Sequence, residues 1–443
     1  MGESGQYLVS LTGSMRGDAM FITKEVNERL THVGPGTPMG EVFRRYWIPA
    51  CLSEEIPEPD CPPARVRLLG EDLVAFRDSS GEVGLIDAFC AHRRAPLFFG
   101  RNEECGLRCV YHGWKFDTLG NCVDTPSEPP YSKIRTRASI KAYPVFEAGG
   151  VIWTYMGPTP QMPPPPEFEW LRIPSTHLGV SKTNESCNFL QAIEGGIDTA
   201  HSSFAHNNDL QNPRLLRSRD PHPTLEVDIE EYGFRYGSIR NISDEQSYVR
   251  IYQFVMPNQQ MRANVVDGEG NPAKVPTLDG HVWVPIDDHS VMVINVHYAS
   301  TQVTPISHDD FLRFEKVNGR HPEDYLPDSY WLKANGANNY LVDREVQRTK
   351  TYTGIAGINT QDFAIQEGMG AIVDRSLEAL GSTDKAISTA RQLLAEAMDD
   401  AAAGRPLRGT RPDTYRDVRA GETILAKGLP WRDATKGLTD TNW

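Results

Sequence analysis

Four residues constrain this chain more than any other feature: Cys90, His92, Cys109 and His112, set out as Cys-x-His, a gap of sixteen residues, then Cys-x-x-His. Two thiolates and two imidazoles at such short internal spacings can converge on one inorganic centre from two facing loops. Tetrahedral zinc accepts two Cys and two His, so a structural zinc site is one outcome. Common zinc fingers, however, keep the two Cys together and the two His together. Here each loop supplies one thiolate and one imidazole, as a 2Fe-2S centre needs when one iron takes both sulfurs and the other both nitrogens.

The flanks sharpen the choice. Cys90-Ala91-His92-Arg93-Arg94 and Cys109-Val110-Tyr111-His112-Gly113-Trp114-Lys115-Phe116 resemble the two cluster loops of Rieske-type aromatic-ring-hydroxylating oxygenases. In such loops Gly113 lets the backbone pass close to sulfide, while Trp114 and Phe116 shield the centre from water. Neutral imidazoles in place of two thiolates make the cluster less negative and raise its potential by on the order of a few hundred millivolts. That suits it to accept electrons from a ferredoxin-like donor.

A second constellation, Asp-x-x-His-x4-His, places Asp198, His201 and His206 within residues 188–206. Two imidazoles and one carboxylate make a facial triad that leaves positions on Fe(II) open for dioxygen and substrate. An i,i+5 spacing does not put two side chains on one face of a regular α-helix. The helix is therefore expected to end or widen near His201, a π-type turn being one way. Asp198, three residues earlier, is expected on the same helical face, accepting a hydrogen bond from the free ring nitrogen of His201. By themselves two histidines five apart are explained more often as surface residues than as iron ligands. Alongside the Cys/His motif they resemble the mononuclear-iron segment of the same oxygenases. That resemblance implies a carboxylate ligand from far downstream, Asp362, with Glu367, Asp343 and Asp374 as competitors. It also implies that Asp198 bonds His112 of the partner subunit in a ring of subunits.

The likeness covers nearly the whole chain. His32-Val33-Gly34-Pro35-Gly36-Thr37-Pro38-Met39-Gly40, Arg44-Arg45-Tyr46-Trp47, and residues 281–288, 338–345 and 372–381 resemble the oxygenase subunits of the phthalate dioxygenase family. The resemblance implies an α+β fold: an all-β Rieske 2Fe-2S domain, and a catalytic domain with an antiparallel sheet and helices of the helix-grip or START-like kind. A homotrimer or stacked hexamer without a small subunit follows from it. So does a partner reductase carrying flavin and a 2Fe-2S cluster, which would oxidise NAD(P)H. The absence of a glycine-rich nucleotide fingerprint agrees with that division of labour. The implied reaction uses O2 to cis-dihydroxylate, monohydroxylate or O-demethylate a ring compound.

Residues 1–41 read as a leader, its first nineteen residues Gly- and Ser-rich, followed by a segment that packs on the catalytic domain. The leader is either mobile or the product of an upstream start codon. Strand-like runs at 66–69, 73–76 and 83–86 place the Rieske domain at 42–157. The proline run of 158–166 breaks any periodic element and reads as a linker. The catalytic domain then takes 167–443, with strand signals at 225–256 and 281–298 and a helical tail at 362–403.

A formal charge of -14 over 443 residues argues against nucleic-acid binding, and no apolar stretch approaches the ~18 residues of a membrane span. Cysteines outside the motif read as free thiols in a reducing compartment, hence a cytoplasmic protein. Strand alternation groups Tyr248, Arg250, Tyr252 and Phe254, and likewise Phe234, Tyr236, Ser238 and Arg240. Guanidinium forks among aromatic rings suit an aromatic carboxylate such as a phthalate, a substituted benzoate or a phenoxybenzoate. Arg214, Arg217 and Arg219 are further candidates, although each arginine reads equally well as a solvated charge. Two other classes stay open: a Rieske electron-transfer protein without a second metal, and a zinc-stabilised binding protein.

Overall fold

The computed structural model describes residues 22–300 and 303–439; residues 1–19 of the expected leader lie outside them. Helices α1 (Lys24–Thr31) and α2 (Pro38–Arg44) come first, each started by a threonine hydroxyl, of Thr23 or Thr37, that accepts a first-turn amide. Both helices lie on the catalytic half. Asn27 Nδ2 donates to the Val373 carbonyl at 2.9 Å, and Asn188 Nδ2 to that of Thr31 at 2.8 Å.

Eleven short strands follow: β1 (Trp47–Leu52), β2 (Ala64–Leu68), β3 (Glu71–Arg77), β4 (Val83–Asp87), β5 (Arg101–Asn102), β6 (Leu107–Arg108), β7 (Lys115–Phe116), β8 (Cys122–Asp124), β9 (Ala142–Tyr143), β10 (Val145–Ala148) and β11 (Val151–Tyr155). They form three antiparallel sheets, ordered β1-β11-β10, β2-β3-β4-β9 and β5-β6-β7-β8. The turns β4–β5 and β6–β7 carry the two Cys/His loops over a small core of Val74, Phe76, Ile86, Leu97, Leu107 and Phe116. The proline run leaves this domain in extended conformation with one 3-10 turn, Thr159–Gln161. Trp47 pins it by donating Nε1–H to the Pro163 carbonyl at 2.9 Å.

The catalytic half contains β12 (Leu178–Glu185), α3 (Phe189–Ile197), α4 (Leu216–Arg219), β13 (Thr224–Glu230), β14 (Gly233–Asn241), β15 (Gln246–Val255), β16 (Gln259–Val266), β17 (Pro272–Asp287), β18 (Ser290–Tyr298), α5 (His308–Asn318), α6 (Arg344–Thr349), α7 (Ile358–Gly368), α8 (Lys385–Ala402), β19 (Gly421–Ala426) and α9 (Trp431–Ala434). Its eight-stranded antiparallel sheet runs β12-β18-β17-β16-β15-β14-β13, with β19 against β15. The α+β class is therefore as expected, and strands fill both expected stretches. The helical tail, however, is two helices. Gly368 and Gly370 end α7, the latter at φ +93°, and residues 369–384 form turns before α8 begins. Helix α8 buries Ile387, Ala390, Leu394, Ala397 and Met398, an apolar stripe at helical spacing that packs on α2 and β13.

Helix α3 passes β17 and α7 so closely that its two glycines leave no room for a Cβ unless a neighbouring side chain shifts. A Cβ on Gly196 would come 2.1 Å from Cζ2 of Trp283, and one on Gly195 2.0 Å from Nε2 of Gln366. Gly196→Ala is expected to cost about 1–3 kcal/mol by forcing the indole aside. Gly368→Ala, with nothing within 4 Å of the added methyl, should be neutral or slightly stabilising. Urea unfolding midpoints of the two variants check this; equal midpoints would contradict the close crossing.

Candidate active site

In the first pair of loops, Cys90 and Cys109 are buried thiols that form no disulfide. The rings of His92 and His112 stand edge to face with centroids 4.5 Å apart, and Trp114 stacks on His92 at 4.6 Å. Each loop turns on a backbone bond, Arg94 N to Cys90 O and Gly113 N to Cys109 O, both 2.9 Å. Gly113 has φ +77°, and a Cβ there would meet Pro126 at 2.7 Å. Burial, with the Cys109 sulfur nearby, pushes the Cys90 thiol up to about 11, so metal loading must release its proton. His92 Nδ1 is buried without a hydrogen-bond partner, an unmet acceptor that a metal ligated at this atom would satisfy. Two thiols, two imidazoles and that orphaned nitrogen fit a Rieske cluster.

The second centre is built where α3 stops. Residues 198–206 do not continue the helix or widen it into a π-turn. Asp198 is the C-cap with extended backbone (ψ 136°), and His201 opens a 3-10 turn, His201–Ser203. Asp198 therefore does not share a helical face with His201. Its Oδ1 instead accepts the Ala200 amide at 2.7 Å, and this turn brings Oδ2 to 3.5 Å from His201 Nδ1. His201 Nε2 lies 3.0 Å from His206 Nε2, and the Oδ1 of Asp362, on α7, lies 3.6 Å and 3.2 Å from them. Among the described residues this is the one trio of His, Cys, Asp or Glu side chains close enough to share an ion.

Gln361, which the sequence did not single out, sets the tautomer of His206. Its Nε2 donates to Asn208 Oδ1 at 2.8 Å and to the Ile355 carbonyl at 2.9 Å, so its Oε1 is the acceptor for His206 Nδ1–H at 2.9 Å. The lone pair of His206 is thereby left on Nε2, facing His201 and Asp362. Burial opposes charge at all three positions, yet mutual attraction prevails. Asp198 and Asp362 are held below the ordinary carboxylate range, and His201 is raised by Asp198 and Asp362. Two ring nitrogens 3.0 Å apart beside a carboxylate are close enough to share a cation, and the donor set suits Fe(II). The competing carboxylates are engaged elsewhere. Glu367 accepts from Ser186 N and Tyr340 OH, Asp343 caps α6, and Asp374 caps the 3-10 turn Arg375–Leu377.

The trio opens on a cavity of about 350 Å³ whose walls include Arg217, Arg250, Arg262, Tyr252, His281 and Trp283. Alternation on β16 and β17 puts Arg262 and Asn264, and Asp279, His281 and Trp283, toward it. Arg250 also faces the cavity, but its fork bonds the Ala263 carbonyl and Asn264 Oδ1 and lies 3.5 Å from Glu422. Arg240 does not line it. Its fork is filled by Ser203 Oγ at 2.9 Å and the carbonyls of Thr199 and Asp220. It thus ties down the turn that holds His201, and burial beside Arg217 pushes its pKa down to about 10. Arg214 pairs with Glu269 outside the cavity, and Arg219 is exposed. The guanidinium of Arg262, which the sequence reading missed, makes no hydrogen bond among the described residues; its nearest counter-charge is Asp279 at 3.9 Å. Polar residues alternating through Gln260, Arg262 and Asn264 were the signal for it.

Comparison with known proteins matches each half of the chain to a family. Residues 46–144 match the Rieske [2Fe-2S] domain, and residues 154–442 match the family described as LigXa C-terminal domain like. The oxygenase subunit of phthalate 4,5-dioxygenase from Pseudomonas putida is 36% identical over 428 residues, spanning 93% of this chain and 94% of its own. That of 3-chlorobenzoate-3,4-dioxygenase from Comamonas testosteroni is 35% identical over 445 residues, spanning 94% and 98%. Among solved structures, dicamba monooxygenase bound to dicamba shares the fold with a TM-score of 0.58 at 19% identity, over 81% of this chain and 98% of that one.

Proposed function

Because the chain belongs to the Rieske-type oxygenases, as an oxygenase subunit of the phthalate dioxygenase kind, we propose that it hydroxylates an aromatic carboxylate beside a mononuclear Fe(II) held by His201, His206 and Asp362. The observation that carries this is their convergence on a cavity that also presents Arg217, Arg250 and Arg262. With the Rieske cluster on Cys90, His92, Cys109 and His112, the metals supply O2 activation and the electrons it consumes. The protein's own share is orientation. Gln361 and Asp198 leave both Nε2 lone pairs toward the metal, Arg240 anchors the turn between them, and Arg262 receives the carboxylate. Tyr252 and Trp283 flank the ring.

In the same reading NAD(P)H is oxidised by a separate flavin and 2Fe-2S reductase in the cytoplasm, and the subunits form a homotrimer or stacked hexamer. Asp198, whose side chain is 21% exposed beside His201, then reaches His112 of the partner subunit. Exposed Val110 and Tyr111 border that loop. Among the described residues no helix is long and apolar enough to cross a membrane.

The test is iron and acid-labile sulfide on anaerobically purified protein, followed by turnover of benzoate derivatives with a reductase and O2. Three iron and two sulfide per chain, with a reduced Rieske EPR signal and an oxygenated product, support the reading. Two iron without a product points to an electron carrier, and zinc without sulfide to a binding protein. Arg262→Gln is expected to raise KM for the acid about 10–100-fold with a smaller change in kcat, since one charge-assisted bond to the carboxylate is lost. Unchanged KM in this variant and in Arg217→Gln and Arg250→Gln would count against a carboxylate substrate.

A further inference from the structure

His281 stands on β17 between Gln260 of β16 and Asn295 of β18, and it faces the cavity while only 4% exposed. Its Nδ1 lies 3.0 Å from Asn295 Oδ1. The same oxygen accepts a hydrogen bond from Arg320 Nη1 at 3.0 Å, and arginine has only donors to offer. The other end of that amide lies 3.4 Å from the Val293 carbonyl and from the Ser181 and Thr183 hydroxyls, as an NH2 group should. Asn295 therefore presents oxygen, and Nδ1 of His281 must carry the hydrogen. Burial, then the nearby Arg262 and Arg320, keep the ring from taking a second proton. Nε2 is left with its lone pair, and no described residue bonds it.

A bare imidazole lone pair in a cavity rich in arginine repels a carboxylate and attracts a hydrogen. Arg262 sits opposite Asp279, one alternate position along from His281, so the two are diagonal neighbours with backbones roughly 7–8 Å apart, and both side chains line the one cavity. We propose that His281 Nε2 accepts a hydrogen bond from a donor on the substrate ring, a phenolic hydroxyl above all, so that the preferred substrate is a hydroxylated aromatic acid with its carboxylate at Arg262. This rests on reading the cavity as an aromatic-acid site.

The experiment compares 2-, 3- and 4-hydroxybenzoate with the fluorobenzoates of the same ring position, which match them closely in size but lack the donor. Affinity is measured by calorimetry on the metal-loaded protein. At one ring position at least, the hydroxy acid is expected to bind about tenfold tighter than its fluoro partner. His281→Leu should bring that ratio close to one with little change for the fluorobenzoate, because Asn295 keeps its bond to Arg320. His281→Gln, which restores an acceptor, should keep part of the preference and stands in if the leucine variant does not fold. A ratio near one at every position in the wild type, or one that survives His281→Leu, overturns the inference while leaving the aromatic-acid reading intact. Failure of every benzoate to bind overturns both.

Discussion

Asp362→Ala is expected to remove one iron per chain, leave the cluster iron and sulfide in place, and lower kcat by on the order of 1000-fold. The argument is geometric. Asp362 Oδ1 is the single carboxylate oxygen that meets both histidine Nε2 atoms, at 3.2 and 3.6 Å. Without it two neutral imidazoles remain, and the third, anionic member of the 2-His-1-carboxylate set is gone. The Rieske loops lie in another domain with their own core, so the reduced EPR signal should be unchanged. Asp374→Ala and Glu367→Ala, which alter carboxylates bonded elsewhere, should keep full iron. Iron analysis and single-turnover rates decide the matter, and a fully iron-loaded Asp362→Ala protein would move the ligand assignment to another residue.

The largest loss of stability is expected from Glu194→Gln, at about 3–5 kcal/mol. Glu194 is buried in α3 between Arg375, with Nη2 at 2.8 Å and Nε at 3.0 Å, and Arg391, with Nε at 2.6 Å. Burial alone would raise its pKa, but the two guanidiniums outweigh it and hold the carboxyl below its ordinary value of 4.5. A depressed folded pKa contributes stability above the unfolded value, and that stability is lost as pH falls below about 4.5 through the folded value. Wild-type protein should therefore lose more stability than the variant on acidification through that range. Arg391 also bonds Glu378, and Arg375 bonds Asn27 of α1. The variant thus loosens α1, α3 and α8 together. Denaturant midpoints at pH 7 and pH 4 check both claims, and parallel pH profiles for the two proteins would refute the second.

What the sequence revealed and what it hid divide along a physical line. The Cys/His loops and the His201–His206 pair were legible because they are made of rare residue types at short, fixed spacings. Asp362 was legible only through resemblance, since nothing local links it to histidines far upstream. Arg262, Gln361 and His281 take their roles from sheet register and from amides contributed by other segments. The same limit misled the reading of Arg240. Alternation gives the face of a strand, not whether loop carbonyls such as those of Thr199 and Asp220 already occupy the guanidinium. Asp198 was expected on a helical face because the pattern of α3 does not announce that Gly195 and Gly196 are followed by a cap. Strand β19 gave no signal, since Gly421–Ala426 shows no alternation of buried and exposed positions.

That short strand also orders events in time. Glu422 of β19 bonds Tyr248 across 174 residues of chain, and Gln361 bonds His206 across 155. The Rieske core, by contrast, draws only on residues 74–142. During synthesis Cys90, His92, Cys109 and His112 can thus all be in place while His201 and His206 still lack Asp362. At roughly 5–20 residues per second, the wall behind Arg250 waits ~15–60 s after His112 has been made. An iron-sulfur cluster could therefore be installed on a nascent chain, whereas an ion shared by His201, His206 and Asp362 would have to wait until Asp362 has been made.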